Sequence, residues 1–221
     1  KHVESCDSCQ RNKLSNKKPY GKLPLVSALR NKDPWEKVQV DCCGPWKIRY
    51  TNAVTGRIST FEIHLLSMVD VCSGWPEFTR INSANSIATA KAFEKNWLCR
   101  YPRPKEVGHD NGNEFMGIEF QEMLDSYGII SKPTTVKNPT ANAIVERIQG
   151  TLGEQLRATL FNSDWSDDVE TLIQACAYAL RATSPSNNPY SPAQLAFSCD
   201  MLFRQKVIID WERLKASRNK Q

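Results

Sequence analysis

Val107-Gly108-His109-Asp110-Asn111-Gly112-Asn113-Glu114-Phe115 opens the stretch on which the reading of this chain turns, and the stretch closes with Asn138-Pro139-Thr140-Ala141-Asn142-Ala143-Ile144-Val145-Glu146-Arg147. Residues 105–109 read as a strand, and Asp110 stands at its end, followed at once by the turn pair Asn111-Gly112. Asn138 is a natural N-cap and Pro139 a natural first helical residue, so Glu146 falls inside a helix. Thirty-five residues separate Asp110 from Glu146. A third acid, Asp41, lies within the apolar run Val38-Gln39-Val40-Asp41-Cys42-Cys43, where a carboxylate needs a partner.

Each acid has a plainer reading. Asp41 could be paired with a buried Lys or Arg, Asp110 could only form a turn, and Glu146 could only face solvent. Taken together they suit a hard divalent cation, which takes oxygen ligands from a few carboxylates and from substrate phosphate. Two such ions about 3.5–4 Å apart can activate an attacking oxygen and stabilise a leaving one in an in-line phosphoryl displacement.

Working outward, the pattern is α/β. Residues 36–43, 60–71, 75–81, 105–109 and 129–132 read as strands, with a hairpin-like connection at 51–56. Residues 84–100 read as a helix capped by Asn82 or Ser83, with Ile87, Ala90, Phe93, Trp97 and Leu98 on one side. Residues 116–127 form a second helix, stopped by Gly128. The Glu146 helix carries the stripe Ala141, Val145, Ile148, Leu152, Leu156 and Leu160. Further helices are expected at 167–181 and from Ser191-Pro192 to Phe197. Three strands in meander order, followed by alternating helices and strands, give the order of an RNase H-like five-stranded mixed sheet flanked by helices.

Glu146 lies off the apolar stripe and shares a face with Gln149, Gly150, Gly153 and Arg157. Each interior glycine costs a helix ~1 kcal/mol relative to alanine. Something therefore needs a smooth surface there, either a nucleic-acid backbone or another packed helix.

The chain has 221 residues and a net charge of +5. Residues 1–34 hold eight of the 29 Lys and Arg and three of the 24 acids, so the excess sits in an N-terminal arm and the remainder is neutral. A basic arm beside a neutral body suits a polyanion such as nucleic acid, although a solvated linker would look the same. Residues 10–34 lack periodicity and read as that linker, with the folded region starting near Pro34-Trp35. Cys6 and Cys9 form a CxxC, half of a four-ligand zinc site whose His partners would lie upstream of Lys1. Cys42, Cys43, Cys72, Cys99 and Cys176 lie in apolar segments and read as reduced core residues. No apolar stretch approaches the ~18 residues of a membrane span. The start shows neither an initiator Met nor a signal pattern, as expected of a piece of something longer.

VDCCGPW around Asp41, HDNGNEF around Asp110 and NPTANAIVER ending at Glu146-Arg147 resemble the three catalytic motifs of the integrases of retroviruses and gypsy-type LTR retrotransposons, at that family's spacing. SCDSCQRNK resembles the end of the family's His-His-Cys-Cys zinc module, and SPAQLAFSCDM with Asp210-Trp211-Glu212 resembles the region after the core. The resemblance implies a zinc-module remnant at 1–9, a basic linker at 10–34, a catalytic core at 35–200 and the start of a C-terminal region at 201–221.

It also implies 3′-end processing of element DNA and its transfer into target DNA, with two Mg²⁺ or Mn²⁺ held by Asp41, Asp110 and Glu146. Zn²⁺ would be held in part by Cys6 and Cys9. DNA is the implied partner, on which the protein acts as a homo-oligomer in the nucleus after a stage in a cytoplasmic virus-like particle; a chromatin or transcription-factor partner is compatible with this. Asn111 and Gln149 would neighbour the DNA, and Lys132, Lys137, Arg147 and Arg157 are candidate phosphate contacts. The chain departs from the family at Thr140 (often Gln), at Gln149 (often His), at Ser198-Cys199-Asp200-Met201 (usually Gly-Arg-Asp-Met) and around Pro185, where a His is common. None of these touches the three acids. The alternative is an integrase-derived module, domesticated or decayed, that binds DNA or protein without catalysis. A nuclease or cut-and-paste transposase of the same fold is the weaker third reading.

Overall fold

The computed structural model describes residues 32–51, 56, 58–134, 143–162, 169–185, 188–203 and 205–219. Cys6, Cys9, nearly all of the basic linker, Lys137, and the expected cap at Asn138-Pro139 lie outside the described residues.

Five strands form one sheet. They are β1 (Lys37–Thr51), β2 (Ile58–Asp70), β3 (Pro76–Ile81), β4 (Glu106–His109) and β5 (Ile130–Pro133), in spatial order β3-β2-β1-β4-β5. The first three pair antiparallel, while β1–β4 and β4–β5 pair parallel, so the sheet is mixed as expected.

Strand alternation builds two cores. On one face Val38, Val40, Leu66, Met68 and Val107 meet Phe93 and Trp97 beyond them, together with Phe120 and Leu124. Phe93 ends helix α1 (Ser86–Phe93), Trp97 lies in the π-helical turn Glu94–Leu98 that follows, and Phe120 and Leu124 belong to α3 (Ile118–Ser126). On the other face Ile63, Leu65 and Phe78 meet Leu152 and Leu156 of α4 (Ala143–Asn162) and Leu172, Ile173 and Cys176 of α5 (Val169–Ala182). Of the apolar stripe expected on the Glu146 helix, Val145, Leu152 and Leu156 are buried and Ile148 is partly so.

Several expectations need correction. β1 does not stop at Cys43. At Gly44-Pro45 the register shifts between Cys43 and Trp46, after which the strand stays paired with β2 to Thr51. Gly44 adopts φ 113°, and a Cβ there would strike the carbonyl oxygen of Ile63. Gly44→Ala is therefore expected to cost at least ~2 kcal/mol, read as a lower urea midpoint; an unchanged midpoint would show that the shift tolerates a side chain.

The cap of α1 is Asn85, whose side chain accepts from the Ala88 amide at 2.9 Å, rather than Asn82 or Ser83. Ile87, in the first turn, is 50% exposed instead of joining the core stripe. The helix expected at 116–127 is broken at Gly117, leaving α2 (Asn113–Met116) before α3. At Gly117 the chain passes against Ser86, whose hydroxyl accepts from the Phe120 amide, and a Cβ would clash with it. Cys99 is exposed, because it lies beyond the end of the helical segment. Gly128 stops α3 as expected, with φ 65°.

α6 (Pro192–Phe197) starts with a capping box between Ser191 and Gln194. A last helix, α7 (Trp211–Asn219), was not expected; Leu214 buries it and Lys215 pairs with Asp33 at 3.1 Å. Among the described residues no helix is long and apolar enough to cross a membrane.

Candidate active site

Strand register places the first two acids. Val38 and Val40 point into the α1 side of the sheet, so Asp41, one residue on, points to the α4 side. Its cross-strand partner is Ser67, which shares its parity on β2 with Ile63 and Leu65. β4 runs parallel to β1 with Gln39 opposite Gly108, and extending that register by two residues brings Asp110 level with Asp41. Asp110 ends its strand in a turn that its own carboxylate closes, Oδ1 accepting from the Gly112 amide at 2.9 Å. His109, fully buried, anchors the turn from behind. Its Nε2 lies 2.8 Å from Ser131 Oγ on β5, its ring stacks on Phe115, and the Thr134 amide donates to its carbonyl at 2.6 Å. Burial lowers the pKa of this imidazole.

Glu146 sits in the first turn of α4 and is exposed. The next turn carries Gln149, whose Nε2 donates to Asp41 Oδ2 at 3.1 Å and lies 3.2 Å from Ser67 Oγ. The helix is thereby fastened to the strand that carries Asp41. Asp41 itself is pushed up from an ordinary carboxylate value to about 6. Burial is the main cause and the negative charges of Asp110 and Glu146 add to it, while the bond from Gln149 opposes the rise. The charges of Asp110 and Glu146 therefore reach Asp41 and make it costlier to ionise.

The donor set fits a divalent cation. It consists of hard carboxylate oxygens, one of them resisting its own charge for lack of a counter-charge. Among the described residues, however, no three His, Cys, Asp or Glu side chains stand close enough together to hold an ion. A three-acid cage requires Asp110 and Glu146 to draw in towards Asp41.

The remaining sequence candidates divide. Lys132, Arg147 and Arg157 are exposed, as phosphate contacts would be, and Asn111 is exposed with Nδ2 3.5 Å from the Thr134 carbonyl. Gln149 is only partly exposed and turned inward. Of the two glycines, Gly150 faces open space with nothing within 4 Å of where its Cβ would be, while Gly153 is buried and abuts the Arg157 guanidinium. No packed helix among the described residues accounts for Gly150. Ser67 belongs to the site without having been a sequence candidate. Its signal is a lone polar residue in the run Leu65-Leu66-Ser67-Met68-Val69.

A mixed five-stranded sheet in this order, flanked by helices and carrying an acid on its central strand, an acid at the next strand's end and an acid on a crossing helix, defines an RNase H-like domain. Residues 35–139 match the family model of the integrase core domain. The Tf2-3 and Tf2-4 transposon polyproteins of Schizosaccharomyces pombe are each 24% identical over 201 residues, which is 87% of this chain and 14% of their own length. The catalytic core of HTLV-2 integrase, solved in complex with magnesium, superposes with a TM-score of 0.60 at 21% identity, over 76% of this chain and 100% of that one. The BIV integrase core gives 0.55 at 17% identity, over 73% and 93%. A simian T-cell lymphotropic virus intasome, in complex with the PP2A regulatory subunit B56 gamma, gives 0.59 at 20% identity, over 93% and 68%. Residues 35–139 thus match an integrase core domain, and the fold of the chain is that of the retroviral integrase cores.

Proposed function

We propose that this chain is the catalytic part of a retroelement integrase, a polynucleotidyl transferase that trims the 3′ ends of element DNA and joins them to target DNA. The observation that supports this best is the electrostatic coupling of Asp41 to Asp110 and Glu146 at one end of the sheet. In the reaction a water or a DNA 3′-hydroxyl attacks a phosphodiester in line, and a new P–O bond forms as the bond to the leaving 3′-oxygen breaks. Two Mg²⁺ or Mn²⁺ would supply activation of the attacking oxygen and stabilisation of the leaving one.

Asp41, Asp110 and Glu146 would hold those ions. The turn at Asp110 keeps one carboxylate oxygen on the Gly112 amide, and the other would be the one to meet an ion. Arg147, Arg157, Lys132 and Lys137 would meet phosphates, setting the register of the DNA without reading bases, and Asn111 would stand beside it. The open surface at Gly150 lets a backbone pass close to α4. Cys6 and Cys9 would complete a zinc module with histidines supplied upstream. The working form would be a homo-oligomer on paired DNA ends in the nucleus.

The test is a joining assay with labelled DNA ends and plasmid in Mg²⁺ or Mn²⁺, using a form extended at the N-terminus. Asp110→Asn is expected to reduce joining at least ~10³-fold, since it removes a carboxylate from charge stabilisation at the reacting phosphate. Joining that persists in Asp110→Asn excludes this reading.

A second reading, an integrase-derived module that binds without catalysis, draws on one observation: no three acids among the described residues stand in metal-holding range. It predicts DNA retention with no joining in either ion.

A further inference from the structure

We propose that Gln149 is a positioning residue for Asp41: it holds that carboxylate in the orientation a divalent ion requires and locks the helix bearing Glu146 to β1. The inference rests on the metal reading above.

The geometry assigns the amide's hydrogens. A side-chain amide carries two N–H donors, and Nε2 of Gln149 stands 3.1 Å from Asp41 Oδ2 and 3.2 Å from Ser67 Oγ. Both hydrogens are thereby directed at the sheet. What remains is a carbonyl oxygen, which repels a phosphate oxygen, so the residue is unsuited to the DNA contact that its place beside Glu146 suggests. Ser67 is fully buried and is the cross-strand partner of Asp41, so the strand pairing itself fixes where the amide must point. On α4, Gln149 follows Glu146 by three positions on the same face, and any shift of the amide moves Glu146 with it.

Carboxylates that bind metals are themselves hydrogen-bonded, and loss of such a partner weakens metal binding by roughly 10–100-fold. Mn²⁺ affinity is measured by isothermal titration calorimetry on the whole chain at pH 7.5, for the wild type, Asp41→Asn, Gln149→Leu and Gln149→Asn. Gln149→Leu should bind Mn²⁺ roughly 10–100-fold more weakly while keeping a native circular dichroism spectrum. Gln149→Asn, whose amide is one methylene too short to span both oxygens, should fall between it and the wild type, and it decides the matter if the leucine variant does not fold. A purely structural role would lower the melting midpoint and leave the affinity of the folded protein unchanged. Wild-type affinity in both Gln149 variants would overturn the role of Gln149 alone. A wild type with no Mn²⁺ site that Asp41→Asn removes would overturn the metal reading, and this inference with it.

Discussion

Arg181→Met should lower the melting midpoint of this protein by about 10 °C, the largest stability loss expected from a single side chain outside the candidate site. Arg181, on α5, crosses to β3, where its Nη2 lies 2.8 Å from Glu77 Oε2; the two side chains are 12% and 3% exposed. The contact is close as an ion pair but not aligned as a hydrogen bond. The guanidinium is held elsewhere too, with Nε donating to the Pro76 carbonyl at 2.9 Å and the plane lying 4.9 Å from the centre of the Trp75 ring. Among the described residues Glu77 has one further partner, the Tyr101 hydroxyl, which donates to Oε1.

Removing the arginine strands a carboxylate inside the protein with a single neutral donor, and breaking a buried pair in this way costs about 3–5 kcal/mol. For a chain of this size each kcal/mol moves the midpoint by about 2–4 °C. The charge, rather than lost packing, is the main cause, so the double variant Glu77→Gln with Arg181→Met should recover more than half of the loss. The introduced glutamine keeps an acceptor for Tyr101 and leaves no orphan charge. Urea melts followed by circular dichroism read both variants. A loss under ~1 kcal/mol in the single variant would mean that water reaches Glu77.

Asp41→Asn should make the metal-free protein more stable at pH 7.5 than the wild type. Asp41 has a folded-state pKa near 6 against an ordinary 3.8, because burial and two neighbouring acids resist its charge. A carboxyl with a raised pKa takes up a proton on folding. Its stabilising contribution is therefore present below about pH 4 and is lost as the pH rises through about 6. A tenfold change in proton affinity is worth ~1.4 kcal/mol, and the part of the group still in contact with water reduces the total to about 1–2 kcal/mol. The asparagine avoids that cost and still offers an oxygen to Gln149. The gap between variant and wild type should close as the pH falls to 4. Saturating Mn²⁺ should reverse the order at pH 7.5, since binding stabilises only the form that keeps the ligand. A metal-free Asp41→Asn less stable than the wild type at pH 7.5 would show that the three acids do not strain the fold.

Most of the scaffold was legible because it is written in local periodicity. The near-continuous apolar run within residues 60–71, buried on both faces from Leu65 to Val71, and the 3.6-residue stripe from Val145 to Leu156 each require one kind of element wherever the rest of the chain goes. Errors fell where long-range packing overrides a local signal. Gly44-Pro45 ends a strand in most contexts, yet pairing with β2 carries β1 through it. Asn85 takes the cap because the helix starts where its side chain reaches Ala88, a choice that two nearby Ser and Asn residues concealed. α7 has a weak apolar face and is held by Leu214 and the pair of Lys215 with Asp33, 182 residues earlier, which no window of sequence displays.

Residue order alone dictates the succession of elements, the RNase H-like sheet and the spacing of the three candidate acids, because hydrophobic period, turn chemistry and motif spacing act over a few tens of residues. Three-dimensional packing was needed to establish that Asp41 faces Ser67 and takes the amide of Gln149, 108 residues away, and that Glu77 is neutralised from α5. Those pairings depend on strand parity and on how a helix crosses the sheet, and both are set only when the two cores close.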